Sequence, residues 1–272
     1  MQYRALIFVG VLSFYLAARI SAFAAEAPSP EPTQAEEKAS QAESSEPSVA
    51  SLGNEFSIFY QNSLQSFQQD QTSIAGARPN QLQASGQIRL QPEWILRLAI
   101  LGDRANLELP QFTTGKVFSS DAFLGELSLN YRLGKTDHLE WAGGLSYLYT
   151  SYTPDNLDQN QAPIPFTNTV LDYHYTSQGP GFSLLGLWQI TPPLSLLAQA
   201  GLYPYLFTSV QKGSALPYLG MGRATLQLRY QIVEGFLLAL SASQELGWGA
   251  YLNSNTSLGL GLTLVPDRIS QE

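Results

Sequence analysis

The chain has 272 residues, 44% of them hydrophobic and only 13% charged, and a formal net charge of −8. Typical soluble domains carry about 25% charged residues, yet no internal stretch here reaches the ~18–20 consecutive apolar residues that a spanning helix needs. The absence of cysteine excludes disulfides, thiolate metal sites and a lipid-bearing N-terminal cysteine. The acidic balance leaves nucleic acid no electrostatic footprint.

Residues 1–24 read as a cleavable Sec-type export signal. Arg4 supplies the positive start, Ala5–Ala18 the short apolar run, and Ala22-Phe23-Ala24 the small residues before a cut after Ala24. Arg19 breaks the apolar run and argues against an uncleaved anchor. Residues 25–52 read as a disordered acidic linker. Pro28, Pro30, Pro32 and Pro47 forbid one continuous helix, and six glutamates from Glu26 to Glu46 face only Lys38. With almost nothing large and apolar to bury, the stretch cannot offset its ordering entropy. It is expected to be a tether; an arm for a partner is the alternative.

Residues 53–266 carry a period-2 pattern, the mark of strands with two unlike faces. Strands are predicted at Glu55–Gln61, Leu82–Gln91, Glu93–Leu101, Phe123–Leu133, Leu139–Thr150, Phe182–Ile190, Leu194–Phe207, Tyr218–Ile232, Phe236–Trp248 and Ser257–Val265. In the eighth, Ala224, Leu226, Leu228 and Tyr230 alternate with Arg223, Thr225, Gln227 and Arg229. Short turns are expected at Gln91–Glu93, Leu133–His138, Thr191–Pro193 and Val233–Gly235. The other connections, Asn62–Gln81, Gly102–Asp121, Ser151–Gly181 and Thr208–Leu216, are expected to be long polar loops; Ala250–Thr256 is shorter. Residues 267–272 form a tail.

A soluble sandwich would place the apolar face in a core; a membrane barrel places it outward, against lipid. The polar face is poor in Lys and rich in Gln, Ser and Gly, as a crowded lumen would be. Aromatics gather toward the strand ends: Trp94, Tyr131, Trp141, Trp188 and Tyr230 on one side, Trp248 on the other. Such belts suit the two membrane interfaces. On alternation, belts and loop asymmetry, the domain resembles the bacterial outer-membrane β-barrel superfamily. The resemblance implies an all-β, up-and-down antiparallel transmembrane barrel of about ten strands (8–12 compatible), with short periplasmic turns and long extracellular loops. It also implies outer-membrane lipids and the outer-membrane assembly machinery as partners. One departure is the last strand, which ends Leu264-Val265-Pro266 rather than on an aromatic residue.

By parity Arg89, Arg97, Arg132, Arg223, Arg229, Glu55, Glu126, Glu140 and Glu245 point into the lumen. Charges in a narrow barrel must be paired or hydrated. If Val233–Gly235 closes a tight hairpin, Arg223 lies opposite Glu245. The expected function is a structural or interaction barrel whose lumen is largely filled by side chains. One alternative is a narrow, arginine-lined, porin-like channel for ions or small solutes. A second is a surface hydrolase using Asp172 and His174, a pair similar to the Asp–x–His of the omptin outer-membrane proteases. The second aspartate pair of those enzymes has no counterpart; Asp155 and Asp158 are three apart. His138 falls on a predicted turn without a Gly-x-Ser-x-Gly elbow. Asp103 and Asp121, flanking a loop, are expected to be solvated. No catalytic residue, cofactor or metal is assigned.

Overall fold

The computed structural model describes residues 51–69, 72–108, 117–154, 175–210, 219–249 and 252–266. The export signal, residues 25–50 of the linker, the 267–272 tail, Asp155, Asp158, Asp172 and His174 lie outside the described residues. Ten strands follow one another: β1 (Glu55–Gln69), β2 (Thr72–Gln91), β3 (Trp94–Glu108), β4 (Val117–Lys135), β5 (Leu139–Pro154), β6 (Tyr175–Thr191), β7 (Leu194–Val210), β8 (Leu219–Val233), β9 (Phe236–Gly249) and β10 (Leu252–Leu264). Each pairs antiparallel with the next. β10 pairs with β1 from Phe56↔Leu264 to Gln68↔Leu252, which closes the barrel despite the non-aromatic end of the last strand. Closure gives every strand two neighbours, the condition for placing a sheet in lipid.

The alternation sets the two surfaces. On β8, Arg223, Thr225, Gln227 and Arg229 are buried, whereas Ala224, Leu226, Leu228 and Tyr230 are exposed. On β10, Leu258, Leu260 and Leu262 are more than half exposed while Thr263 is fully buried. The barrel is largely polar inside and apolar outside, which is stable only if the outer solvent is hydrocarbon. Trp94, Tyr131, Trp141, Trp188 and Tyr230 lie exposed toward the short-turn end, with Trp94 edge-on to Tyr131 at 5.2 Å. Trp248, toward the other end, lies across Gly220, where a Cβ would stand 2.2 Å from the indole nitrogen.

The connections differ from expectation at one end. Two of the stretches assigned to long loops, Asn62–Gln81 and Gly102–Asp121, are mostly strand: β1 and β2 pair as far as Gln69↔Thr72, and β3 and β4 as far as Glu108↔Val117. β5 and β6 pair out to Tyr152↔Tyr175. These extensions lie beyond the apolar belt, where both faces can be polar, so the ladder continues without the alternation that reveals it. A bulge adds to this. The β1–β2 register shifts between Gln61 and Ser63, with Asn80 in the left-handed region (φ 66°) and its N–H donated to Asn62 Oδ1 at 3.1 Å. The bulge resets the parity at the point where the sequence pattern is lost.

The short turns are tight. Pro92-Glu93, Pro192-Pro193 and Glu234-Gly235 each join two strands, and Gly235 takes the positive φ (75°) that such a turn requires. β4 runs to Lys135, so the turn expected from Leu133 shortens to Thr136–His138; there Leu139 N–H donates to Thr136 Oγ1 (3.1 Å).

Candidate functional site

At the short-turn end the lumen holds an apolar socket of Ile95, Ala142, Leu185, Leu187 and Leu197, and Leu52 fills it. Leu52, assigned from composition to the linker, packs inside the end of the barrel. Its backbone is clamped by charge. Leu52 N–H donates to Glu140 Oε2 (3.0 Å), Arg89 donates to Leu52 O, and Gln87 Nε2 donates to Gly53 O (3.0 Å). Glu140, almost wholly buried, also pairs with Arg89 (3.1 Å) and Arg132 (3.8 Å).

Two further ion clusters span the lumen. Arg229 grips Glu55 with two hydrogen bonds, of 2.8 and 3.0 Å, and its Nη2 donates to Gln227 Oε1 at 2.8 Å. Fork-to-fork pairing of this kind fixes geometry as well as charge. Arg97 and Arg223 share Glu126, at 3.8 and 3.4 Å, and Arg223 also contacts Glu245 at 3.1 Å, its direct register partner on β9. Arg97 donates a further bond to Gln199 Oε1 (2.6 Å). All nine inward charges read from parity thus fall into three clusters, and each guanidinium in them faces a carboxylate.

Large apolar side chains fill what the charges leave. Tyr203 is fully buried over Gly181 and Gly201; a Cβ at Gly181 would stand 2.4 Å from its ring. Phe59, also fully buried, covers its register partner Gly261. Glycines thus make room for these rings, Gly181 and Gly261 from the neighbouring strand and Gly201 from the ring's own. The sequence pattern does not mark these inward apolar residues; paired leucines such as Leu184-Leu185 and Leu196-Leu197 simply interrupt it. The signal for Leu52 is weak but present: it is the only leucine of the stretch read as linker, and it is its last residue.

Toward the opposite end the lumen holds a partly open recess of about 80 Å³. Asp103, expected to be solvated, is buried in its wall and accepts a hydrogen bond from Gln81 Nε2 (2.7 Å). His138 is exposed on its turn. Among the described residues no group of three or more His, Cys, Asp or Glu is placed to hold a metal.

No family model matches the chain, and no curated protein does either. Solved structures do. The outer-membrane protease OmpT from Escherichia coli is 8% identical, with a TM-score of 0.50 over 80% of this chain and 99% of that one. An outer-membrane channel from Pseudomonas putida F1 is 12% identical, with a TM-score of 0.44 over 81% and 98%. At these identities the likeness is one of fold: the chain has the fold of the bacterial outer-membrane β-barrels.

Proposed function

We propose that this protein is an occluded outer-membrane barrel, a membrane-anchored interaction module rather than a conduit or an enzyme. In this reading the chain is exported by its signal, inserted by the outer-membrane assembly machinery and solvated by outer-membrane lipids. Its short turns and Leu52 face the periplasm, so the acidic linker leaves the barrel on that side, and the recess faces outward.

The observation that carries the reading is the filled lumen. A ten-stranded barrel is only slightly wider than the eight-stranded type that side chains fill. Here Leu52 packs into the apolar socket at one end, and Tyr203 and Phe59 lie fully buried within. An anion pore needs guanidinium groups that face water along its wall; these face Glu55, Glu126, Glu140 and Glu245 instead. Planar-bilayer recording of the purified full chain tests the proposal. A silent bilayer is expected. Steady unit currents with anion preference would establish the narrow-channel reading in its place. For the hydrolase alternative, His174→Ala is expected to leave any surface hydrolysis by cells carrying the protein unchanged.

A further inference from the structure

We propose that the outer face of β9, β10, β1 and β2 is the contact between two copies of this chain, made within the membrane by hydrogen bonds between uncharged side chains. This goes beyond the interaction reading by naming the partner of the barrel wall. It requires the outer face to lie in hydrocarbon and is independent of whether the lumen is occluded.

The outer face is not uniform. From Phe123 to Tyr131 on β4, Trp141 to Tyr149 on β5 and Phe182 to Trp188 on β6, every outward residue is aromatic, leucine or glycine. On the four strands around the β1–β10 seam, Gln244, Ser254, Thr256, Asn62 and Asn80 face outward instead. They do not mark the upper edge of the apolar band. Exposed Leu246 stands above Gln244 on β9, Leu252 and Leu258 bracket Ser254 and Thr256 on β10, and Tyr60 and Leu64 bracket Asn62 on β1. Gln244 Nε2 donates to Ser254 Oγ (2.8 Å), and Thr256 Oγ1 donates to Gln244 Oε1. Asn80 N–H donates to Asn62 Oδ1 (3.1 Å), and the Tyr60 hydroxyl donates to Asn80 Oδ1. Both asparagines engage their oxygens in this way, which leaves their NH₂ groups without a hydrogen-bond partner among the described residues. Hydrocarbon offers such groups nothing, so each costs free energy until a partner supplies the bond.

An anionic lipid head group finds no counter-charge on this face, since none of the described outward side chains of the four strands is charged. An acyl chain offers no acceptor. A second copy offers the same amides and hydroxyls, which both donate and accept, so the patch is complementary to itself, as a two-fold contact requires. Two copies inserted in the same sense are related by an axis along the membrane normal, so the groups that meet must lie at equal depth. Barrel strands tilt by about 35–45°. With that slope, the register Gln244↔Thr256↔Leu64 sets Gln244 and Asn62 at nearly one depth, on either side of β10. An axis over Thr256 and Leu258 then brings Gln244 of each copy to Asn62 of the other. Ala242 and Ala84, at the flanks, are too short to hold the two walls apart. Small residues with amide and hydroxyl side chains among them are the usual means of association within a membrane.

The chain has no cysteine, so a single introduced one can form a disulfide only between copies. Leu258 and Leu145 are equally exposed, at 67%, on opposite walls of the barrel. With the full chain in lipid vesicles, Leu258→Cys is expected to oxidise to a covalent dimer and Leu145→Cys to remain largely monomeric. Energy transfer between labelled copies of the cysteine-free chain, followed on dilution into excess lipid, gives the association constant. Gln244→Leu combined with Asn62→Leu is expected to weaken association at least about tenfold, which is about 1.4 kcal/mol. The unfolding midpoint of the diluted monomer is expected not to fall, because leucine suits a lipid-facing site. Equal disulfide yields at the two positions, a monomer at every dilution, or an association constant unmoved by the double substitution would overturn the proposal. So would a Leu258→Cys product in outer membranes that joins the chain to a different protein. The dilution series needs no substitution, so it decides even if a variant fails to fold. A dimer that conducts would keep the contact and remove the occlusion; a silent monomer would do the reverse.

Discussion

Gln227 and Leu228 are adjacent in sequence and meet opposite solvents. Leu228 faces outward, and an arginine there would place a guanidinium against the apolar belt. Leu228→Arg is expected to destabilise the barrel by about 2–4 kcal/mol if the residue sits near mid-membrane. Equilibrium unfolding in lipid vesicles measures this, and a neutral effect would mean that this face is not in hydrocarbon. By parity alone an arginine at Gln227 would look harmless. In the folded barrel Gln227 is fully buried with its Oε1 against Arg229, so Gln227→Arg would juxtapose two guanidiniums and is expected to be costly too. The Arg229–Glu55 fork is the companion case. Removing one partner leaves a buried charge, so Glu55→Gln or Arg229→Gln alone is expected to cost about 3–5 kcal/mol, and the double variant less than their sum. Strict additivity in a double-mutant cycle would mean that the two groups are independently hydrated.

Strands meet closely where glycines face the neighbouring backbone, and here the element is more demanding than its residues. Gly144 on β5 pairs with Asn130 on β4, and a Cβ on it would stand 1.9 Å from Leu129 O. Backbone cannot yield as a flexible side-chain tip can. Gly144→Ala is therefore expected to lower the unfolding midpoint, at a cost of about 1–3 kcal/mol, whereas Gly186→Ala, which meets nothing within 4 Å, is expected to be near neutral. Thermal unfolding of the two variants side by side checks this. The strands themselves were legible in sequence wherever one face met lipid: Phe236–Trp248 and Ser257–Leu264 show their phase at once, and Arg223 and Glu245 could be matched by counting from the Val233–Gly235 turn. Legibility ended where the environment ceased to be two-sided. Beyond Gln61 both faces of the β1–β2 hairpin can be polar, and the bulge at Asn62 and Asn80 resets the phase. Within the lumen, a two-letter pattern tells which face a residue occupies but not what fills that face. Leu185, Leu187 and Leu197 read as lapses in alternation, and Leu52 as the end of a polar tether, though together they form the socket. Asp103 looked solvated because its partner, Gln81, is twenty-two positions away and reaches it only through the β2–β3 register.

For the molecule as a whole, the obstruction is distributed. The Leu52 socket, the Glu140 cluster, the Arg229–Glu55 fork, the Arg97–Glu126–Arg223–Glu245 cluster and Tyr203 each occupy lumen volume, and they are contributed by different strands around the wall. Barrel closure depends on none of them, because the β1–β10 ladder runs through Phe56–Gln68. Emptying one obstruction should therefore weaken the protein without opening it. Leu52→Ala removes most of a fully buried side chain and leaves a void among Ile95, Leu185, Leu187 and Leu197. Its expected cost is about 2 kcal/mol, the lower end for a buried leucine, because Leu52 precedes β1 and its backbone can settle into part of the space. Planar bilayers containing Leu52→Ala are expected to stay as silent as those containing the unaltered chain, since the three ion clusters and Tyr203 remain. Combining Leu52→Ala with Tyr203→Ala and Arg97→Ala removes bulk from both ends of the lumen and its middle, and is expected to raise the ionic current. If Leu52→Ala alone conducts, the segment at 51–54 is a gate rather than one obstruction among several, and the barrel is built to open on its short-turn side.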